Sequence, residues 1–196
     1  LTLPNLLAMT AGTLVTIAET WYVGYLGTMS LAGIALVFPC IMLQQMLSAG
    51  SMGGGISSAV SRALGANDLG KANALVLHAA LICLGMGLFF TFIFIVWGEP
   101  IFRLLGGQGE ALLQSLAYAN VAFWGAASIW LTNGFASVIR GSGNMKTPSL
   151  VLLIACVAQV TLSGVLGLGW GPIPSFGMAG IAMGYVIAFS ASTLYL

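Results

Sequence analysis

The stretch TLVTIAETWYVGYLG, residues 13–27, is apolar almost throughout and contains one carboxylate, Glu19. No other charged residue precedes Arg62. A continuous run of this kind is typical of a membrane-spanning helix, which needs about 20 mostly apolar residues. At 1.5 Å per residue, Glu19 lies about 10 Å inside that helix, too deep to reach water easily. Because a charge at this depth costs about 2.5–3.5 kcal/mol or more, we expect Glu19 to face a protein interior or a water-filled cavity.

The composition of the whole chain indicates the same environment. Of 196 residues, 59% are hydrophobic and 5% are charged, and the mean hydropathy is +1.05. A soluble domain carries roughly 25% charged residues. The apolar runs are continuous rather than alternating, which favours helices over barrel strands. We therefore predict an all-α integral membrane protein. The net charge of +1 leaves no basic surface for nucleic acid.

Charges and turn residues divide the chain into six apolar runs, and we predict a six-helix transmembrane bundle. The predicted spans are residues 3–26, 31–61, 72–97, 112–139, 150–168 and 178–196. The chain begins and ends inside apolar runs, so we expect a single transmembrane unit, residues 1–196, truncated at both ends.

The distribution of basic residues predicts the orientation of the spans. Arg62, Lys71, Arg140 and Lys146 lie in the loops after spans two and four, whereas Arg103 alone lies in a loop on the other side. Cytoplasmic loops carry the excess of Lys and Arg. We therefore expect a multi-pass protein of the cell membrane with both ends of this segment in the cytoplasm.

Polar side chains recur at helical spacing on four of the spans. One such stripe usually marks packing between helices, but four stripes, one of them with an acid, favour a cavity wall. Two aromatic residues, Tyr118 and Trp124, would offer their ring faces to a cationic molecule. The candidate cavity residues are Asn5, Thr16, Tyr22, Gln44, Tyr118, Trp124 and Asn133. A fourth stripe, in span five, contains Cys156, Gln159 and Ser163.

The glycine-dense segment SAGSMGGGISS, residues 48–58, has two interpretations. Gly50 and Gly54 have the spacing of small residues that let two helices approach closely. The alternative is a hinge within span two.

The sequence contains no arrangement typical of an enzyme or of a resident cofactor. His78 has no second histidine or acid at ligand spacing, so a metal site is not expected. The glycine-rich segments at 106–109 and 141–143 lack the ending of a phosphate-binding loop. No Ser-His-Asp or Cys-His arrangement is present. We therefore expect neither catalysis nor a cofactor.

Four segments together resemble the multidrug and toxin extrusion (MATE) transporters. TLPNLLAMTAGTLVTIAETWYVGYLGTMSLAGIAL (2–36) resembles their first span and turn, and VSRALGANDLGKA (60–72) resembles the loop between their second and third helices. VIRGSGNMKTP (138–148) resembles the loop after their fourth helix, and FGMAGIAMGYVIA (176–188) resembles the start of their sixth. These segments occur in the family's order and spacing over nearly the whole chain.

The resemblance implies a fold of twelve helices in two six-helix lobes, with this chain as the N-terminal lobe. The partner of that lobe would be the missing C-terminal lobe of the same chain. The first-helix acid of the family couples transport to a cation, and here it would be Glu19, although the family usually has Asp. One branch pairs this acid with an Asn and an Asp on the fifth helix. Those positions correspond to Gln159 and Ser163, so the paired-acid version of the site is absent.

The leading hypothesis is therefore multidrug efflux by cation-coupled antiport, in which cationic or aromatic drugs leave the cell in exchange for protons or sodium ions. A flippase for lipid-linked sugars, of related architecture, is the second hypothesis, although its cavity would need basic residues. The third is a structural membrane protein, in which a protonated Glu19 only joins helices. By the leading hypothesis, we expect the membrane to be a bacterial inner membrane.

Overall fold

The computed structural model describes residues 2–171 and 174–196, with side chains from Thr10 onward. Every element within these ranges is a helix. In chain order they are α1 (Thr2–Leu26), α2 (Thr28–Gln45), a π-helical segment (Met46–Met52), α3 (Gly53–Gly65), α4 (Leu69–Leu104), α5 (Gly109–Trp124), α6 (Ala126–Gly141), α7 (Lys146–Leu168) and α8 (Gly177–Tyr195).

These helices form longer rods where one follows directly on another. The helices α2 and α3 are joined through the π-helical segment into one rod, Thr28–Gly65. At Gly125 the hydrogen bonding continues from α5 into α6, because the Gly125 amide donates to the Val121 carbonyl at 3.4 Å and the Ile129 amide donates to the Gly125 carbonyl at 3.3 Å. The second and fourth predicted spans therefore each contain more than one helical segment.

By length and composition, four of the described rods could each cross a membrane. They are Thr28–Gly65, α4, α7 and α8. Their apolar side chains include many that are exposed, such as Leu77, Leu81 and Ile154, each about 60% accessible. Lipid is the environment in which such a surface is stable. The protein is an all-helical membrane bundle.

An aromatic core holds α4 against α5 and α6. The rings of Phe94 and Phe123 stack with centroids 3.7 Å apart and planes at 7°, and Phe90 lies 5.7 Å from Trp130. The Thr91 hydroxyl donates to the Phe123 carbonyl at 2.6 Å. This core forms the rear of the bundle. The helices α1, α2, α7 and α8 complete the front, where the cavity lies.

The glycines of residues 48–58 do not all lie at the close helix contacts that the spacing of Gly50 and Gly54 predicts. A Cβ on Gly50 or Gly54 would meet nothing within 4 Å, whereas a Cβ on Gly53 would lie 2.7 Å from the Ser137 Oγ. Close helix approach thus occurs at Gly53, and the prediction for Gly50 and Gly54 is wrong within the described residues. The π-helical segment Met46–Met52 explains the difference, because its wider turns change which residues face α6.

Candidate functional site: a carboxylate on the wall of a membrane cavity

Glu19 joins α1 to α7 through two hydrogen bonds. Its Oε1 accepts from Gln159 Nε2 at 2.7 Å and lies 3.4 Å from Ser163 Oγ. The Ser163 hydroxyl is also 3.0 Å from the Ile181 carbonyl of α8, so it shares its single hydrogen between two acceptors. Gln159 is therefore the principal partner of the acid. No basic group in the described parts of the chain forms an ion pair with Glu19.

The close packing of α7 on α8 determines where Ser163 lies. Small residues four apart on each helix, Ser163 and Gly167 on α7 and Gly180 and Gly184 on α8, form the contact. A Cβ on Gly184 would lie 2.8 Å from the Ser163 Cα, and one on Gly180 would lie 2.8 Å from the Gly167 amide nitrogen. Small residues at this spacing let membrane helices approach closely. The result is a serine hydroxyl fixed between Glu19 and α8.

A cavity of about 420 Å³ opens beside Glu19, and helices α1, α2, α5, α7 and α8 all contribute to its wall. Small-molecule sites are typically 300–1,000 Å³. Its polar lining includes the Glu19 carboxylate, two carboxamides (Gln45 and Gln159) and two phenols (Tyr118 and Tyr185). Threonines of α1 and apolar side chains supply much of the remainder. The lining residues carry one acidic group and no basic group.

The structure brings several of the sequence-predicted residues together. Thr16, Glu19, Tyr118 and Gln159 line the cavity, although they come from three helices. Ser163 lies behind the wall and contacts Glu19. The residues expected to couple transport to a cation are thus neighbours, but their role stays a prediction.

Two candidate cavity residues are buried between helices instead. Tyr22 is 5% exposed, and its ring meets the edge of Trp170 with centroids 5.4 Å apart. Gln44 is 2% exposed and does not line the cavity. The prediction that these side chains form the cavity wall is wrong, because a polar stripe marks a buried face without showing whether a helix or a void lies opposite.

Two further candidates, Trp124 and Asn133, also differ from the prediction. Trp124, at the end of α5, is 72% exposed and lies off the cavity. Asn133 is buried and donates to Gln45 Oε1 at 3.1 Å and to Ser48 Oγ at 2.8 Å, behind the wall. The Asn5 side chain lies outside the described residues.

Among the wall residues that sequence reasoning missed are Gln45 and Tyr185. The Gln45 Nε2 donates to the Tyr185 hydroxyl oxygen at 2.9 Å. Gln45 adjoins the predicted Gln44, and a turn of about 100° between neighbours decides which one faces the cavity. Tyr185 lies in the segment that resembles the start of the family's sixth helix, and its polar hydroxyl in an apolar span was the available signal.

Known proteins share both the sequence and the arrangement of these helices. A MatE family model matches residues 4–165. An FAD transporter of Shewanella oneidensis is 27% identical over 98% of this chain and 43% of its own length. The probable multidrug resistance protein YoeA of Bacillus subtilis is 28% identical over 88% of this chain and 37% of its own length. The chain therefore spans less than half the length of these relatives.

A solved structure matches the whole chain. It is the outward-facing conformation of a multidrug resistance MATE family transporter of the MOP superfamily, 29% identical, with a TM-score of 0.91 over 100% of this chain and 42% of that one. The match corresponds to one lobe of that protein. These relatives are named as transport and resistance proteins rather than enzymes. With a family model matching most of its length and one lobe of a solved transporter matching all of it, the chain belongs to the MatE family.

Proposed function

We propose that the protein containing residues 1–196 expels cationic drugs in exchange for protons, by alternating access between the two sides of the membrane. The observation that carries this proposal is the position of Glu19, which combines a hydrogen bond to Gln159 at 2.7 Å with a place on the wall of a cavity. An intramembrane acid in such a place can bind either a proton or a cationic molecule.

Coupling would follow from competition for this one carboxylate. Proton binding from outside neutralises Glu19, which removes its attraction for a cationic drug. A neutral carboxyl group also offers a hydrogen-bond donor, so its contacts with Gln159 and Ser163 must rearrange. If the inward-open and outward-open states bind the proton with different affinities, this change shifts their populations and drives export.

Sodium is the second candidate coupling ion. Hard cations bind oxygen ligands, and the Glu19 carboxylate, the Ser163 hydroxyl and the Ile181 carbonyl lie together within one hydrogen-bonded group. The two candidate coupling ions are distinguished by measuring efflux from membrane vesicles, driven either by a pH gradient alone or by a sodium gradient alone.

The cavity favours a cationic or neutral aromatic cargo. Its lining carries one carboxylate and no basic side chain, and Tyr118 supplies an aromatic face. The same charge distribution argues against a flippase for lipid-linked sugars, whose phosphates need basic partners.

The relative named as an FAD transporter suggests a second cargo. The phosphates of a flavin dinucleotide are anionic, and this lobe offers them no basic side chain on the described cavity wall. Drug efflux is therefore the stronger proposal, and measuring FAD export beside drug export tests the choice.

The membrane setting of the transporter follows from the basic loops. Arg62 and Lys71 flank the α3–α4 turn, and Arg140 and Lys146 flank the α6–α7 turn. We place these turns in the cytoplasm of a bacterial cell and the bundle in its inner membrane. The partner of this lobe is a second helical lobe of the same protein.

The experiment compares three versions of the full-length transporter at equal expression: the parent, Glu19→Gln and Glu19→Asp. Glutamine keeps the length and hydrogen-bonding capacity of the side chain but cannot ionise. Gradient-driven ethidium efflux should therefore fall to the level of an empty vector in Glu19→Gln. Glu19→Asp keeps the acid and should retain much of the activity.

The structural hypothesis predicts the opposite order for these variants. If Glu19 only joins α1 to α7, glutamine can make the same neutral contacts and should work at least as well as aspartate. An active Glu19→Gln variant would therefore remove Glu19 from the coupling mechanism.

A further inference from the structure

Four side chains form one hydrogen-bonded network that runs from behind the cavity wall to a tyrosine on the wall. Asn133 Nδ2 donates to Ser48 Oγ at 2.8 Å and to Gln45 Oε1 at 3.1 Å. Gln45 Nε2 then donates to the Tyr185 hydroxyl oxygen at 2.9 Å. Asn133 and Ser48 are buried, and Gln45 and Tyr185 reach the cavity. This hydrogen-bonded network therefore connects α6 and the π-helical segment to the cavity surface.

In the structure these hydrogen bonds run in one direction, from the buried end toward Tyr185. The Ser48 hydroxyl donates to the backbone carbonyl of Gln45 at 3.4 Å, which leaves its lone pairs to accept from Asn133. Asn133 presents its NH₂ group to Ser48, and Gln45 presents its carbonyl oxygen to the same group. The remaining Gln45 NH₂ group points to Tyr185, whose hydroxyl oxygen acts as an acceptor.

Tyr185 is left with a hydroxyl hydrogen that has no acceptor among the described residues. Its ring is 5% exposed and packs edge-on against Phe189 with centroids 5.0 Å apart, so the side chain has little freedom to turn away. Because Tyr185 lines the cavity, its hydrogen is available to whatever occupies that space. The wall thus presents an oriented hydrogen-bond donor in the same cavity as the acidic residue Glu19.

We propose that Tyr185 is a specificity-determining residue that donates a hydrogen bond to an acceptor group of the cargo, such as a carbonyl oxygen. Gln45 and Asn133 are positioning residues, since they act through the tyrosine. This inference rests on the proposed drug efflux and names the class of drug: a cation, held by the charge of Glu19, that also carries a hydrogen-bond acceptor.

The physical reason for discrimination is the apolar character of the surrounding wall. A site built to donate a hydrogen bond leaves its donor unpaired when the cargo lacks an acceptor, and unpaired buried donors are unfavourable. Norfloxacin carries a ketone, a carboxylate and an amine cation. Ethidium is a ring cation whose other polar groups are aryl amines, which are poor acceptors.

The experiment measures the initial efflux rates of norfloxacin and ethidium in the full-length protein, at matched amounts in the membrane. Tyr185→Phe removes only the hydroxyl group. It should lower the norfloxacin-to-ethidium ratio by about three- to ten-fold, the range expected from one hydrogen bond. Tyr25→Phe is the matched control, because Tyr25 is 73% exposed on α1 and lies off this cavity. It should leave the ratio unchanged.

The positioning role has its own variant, Gln45→Met, which keeps the length of the side chain and removes both the carbonyl oxygen and the NH₂ group of its amide. Without Gln45 the Tyr185 hydroxyl group is no longer held in one orientation, so the norfloxacin-to-ethidium ratio should also fall. This variant provides the test if Tyr185→Phe fails to reach the membrane. The proposal is overturned if Tyr185→Phe leaves the ratio unchanged, including the case in which the efflux rates of both drugs fall equally. If Tyr185→Phe does not reach the membrane, the same result in Gln45→Met overturns it. A parent protein that expels neither drug refutes the proposed function itself.

Discussion

At the scale of single residues, Glu19 is tolerated in an apolar helix because neutral groups on α7 satisfy one of its oxygens. The Gln159 amide donates at 2.7 Å, while the Ser163 hydroxyl, at 3.4 Å, is shared with a backbone carbonyl. Hydrogen bonds to a charged group contribute about 1.5–3 kcal/mol, more than those between neutral groups. In the proposed efflux mechanism, the two partners should therefore contribute unequally to coupling.

Substituting the two partners separately tests that inequality. Gln159→Leu removes the shorter bond and should lower gradient-driven efflux by about ten-fold. Ser163→Ala removes the longer, shared bond and should lower it by less than about three-fold. Both rates are measured as ethidium efflux at equal expression.

A matched control on the same helix is Thr161→Val, since Thr161 is exposed and its hydroxyl donates only to its own helix, at the Val157 carbonyl. That variant should behave like the parent. A larger loss in Ser163→Ala than in Gln159→Leu would contradict the assignment of Gln159 as the principal partner.

The sequence predicted part of this site, and the reasons are visible residue by residue. Glu19 was identifiable because an ionisable side chain in an apolar run has few roles, and Gln159 and Ser163 followed from the family resemblance. Tyr22 and Asn133 were misplaced because spacing along one helix contains no information about the neighbouring helix. Tyr185 was missed because a single hydroxyl in an apolar span forms no stripe.

At the scale of helices, the α7–α8 contact positions the partners of Glu19. A side chain on Gly184 would collide with the Ser163 backbone, and one on Gly180 with the carbonyl of Leu166. These atoms belong to the backbone and cannot move aside as a flexible side chain would. The separation between the two helices therefore depends on glycine at both positions.

Gly184→Ala should force α8 away from α7 and weaken the bond between the Ser163 hydroxyl and the Ile181 carbonyl. Overpacking of this kind typically lowers the free energy of unfolding by about 1–3 kcal/mol. Thermal unfolding of the purified protein in detergent measures the change.

The control for this variant is Gly54→Ala, because a Cβ at Gly54 meets nothing within 4 Å and the residue lies inside α3. Alanine is the better helix former by about 1 kcal/mol, so this change should not destabilise the protein. Equal destabilisation by the two substitutions would show that the close α7–α8 contact is not responsible.

At the scale of the whole molecule, the bundle was the most predictable feature, because continuous apolar runs have few stable arrangements in lipid. The internal construction of the rods was less predictable. The glycine-dense segment 48–58 left a hinge in span two open but did not indicate the π-helical form of Met46–Met52, and Gly125 alone did not indicate the change from α5 to α6. Both depend on how the rods pack against each other.

Single cysteines in a background without Cys40, Cys83 and Cys156 test the topology. The structure offers exposed turn positions whose backbone is not left-handed: Ala66 between α3 and α4, and Ser142 after α6. Both should react with an impermeant maleimide only from the cytoplasmic side.

A cysteine replacing Gln108, exposed ahead of α5, should react only from outside. Permeabilised membranes provide the control, in which all three positions should react. The reverse pattern of labelling in sealed cells would invert the orientation and require proton entry from the opposite side.

The length of α4 has a consequence for the lipid around the protein. Its 36 residues extend about 54 Å, and the apolar part between Ala72 and Trp97 extends about 39 Å. A hydrocarbon layer is about 30 Å thick, so this helix must incline by about 40° or draw the surrounding acyl chains into a thicker annulus. Because α4 stacks on α5 through Phe94 and Phe123, its inclination is passed to the helix that carries Tyr118. Acyl-chain length is therefore a physical variable that acts on the shape of the cavity from outside the protein.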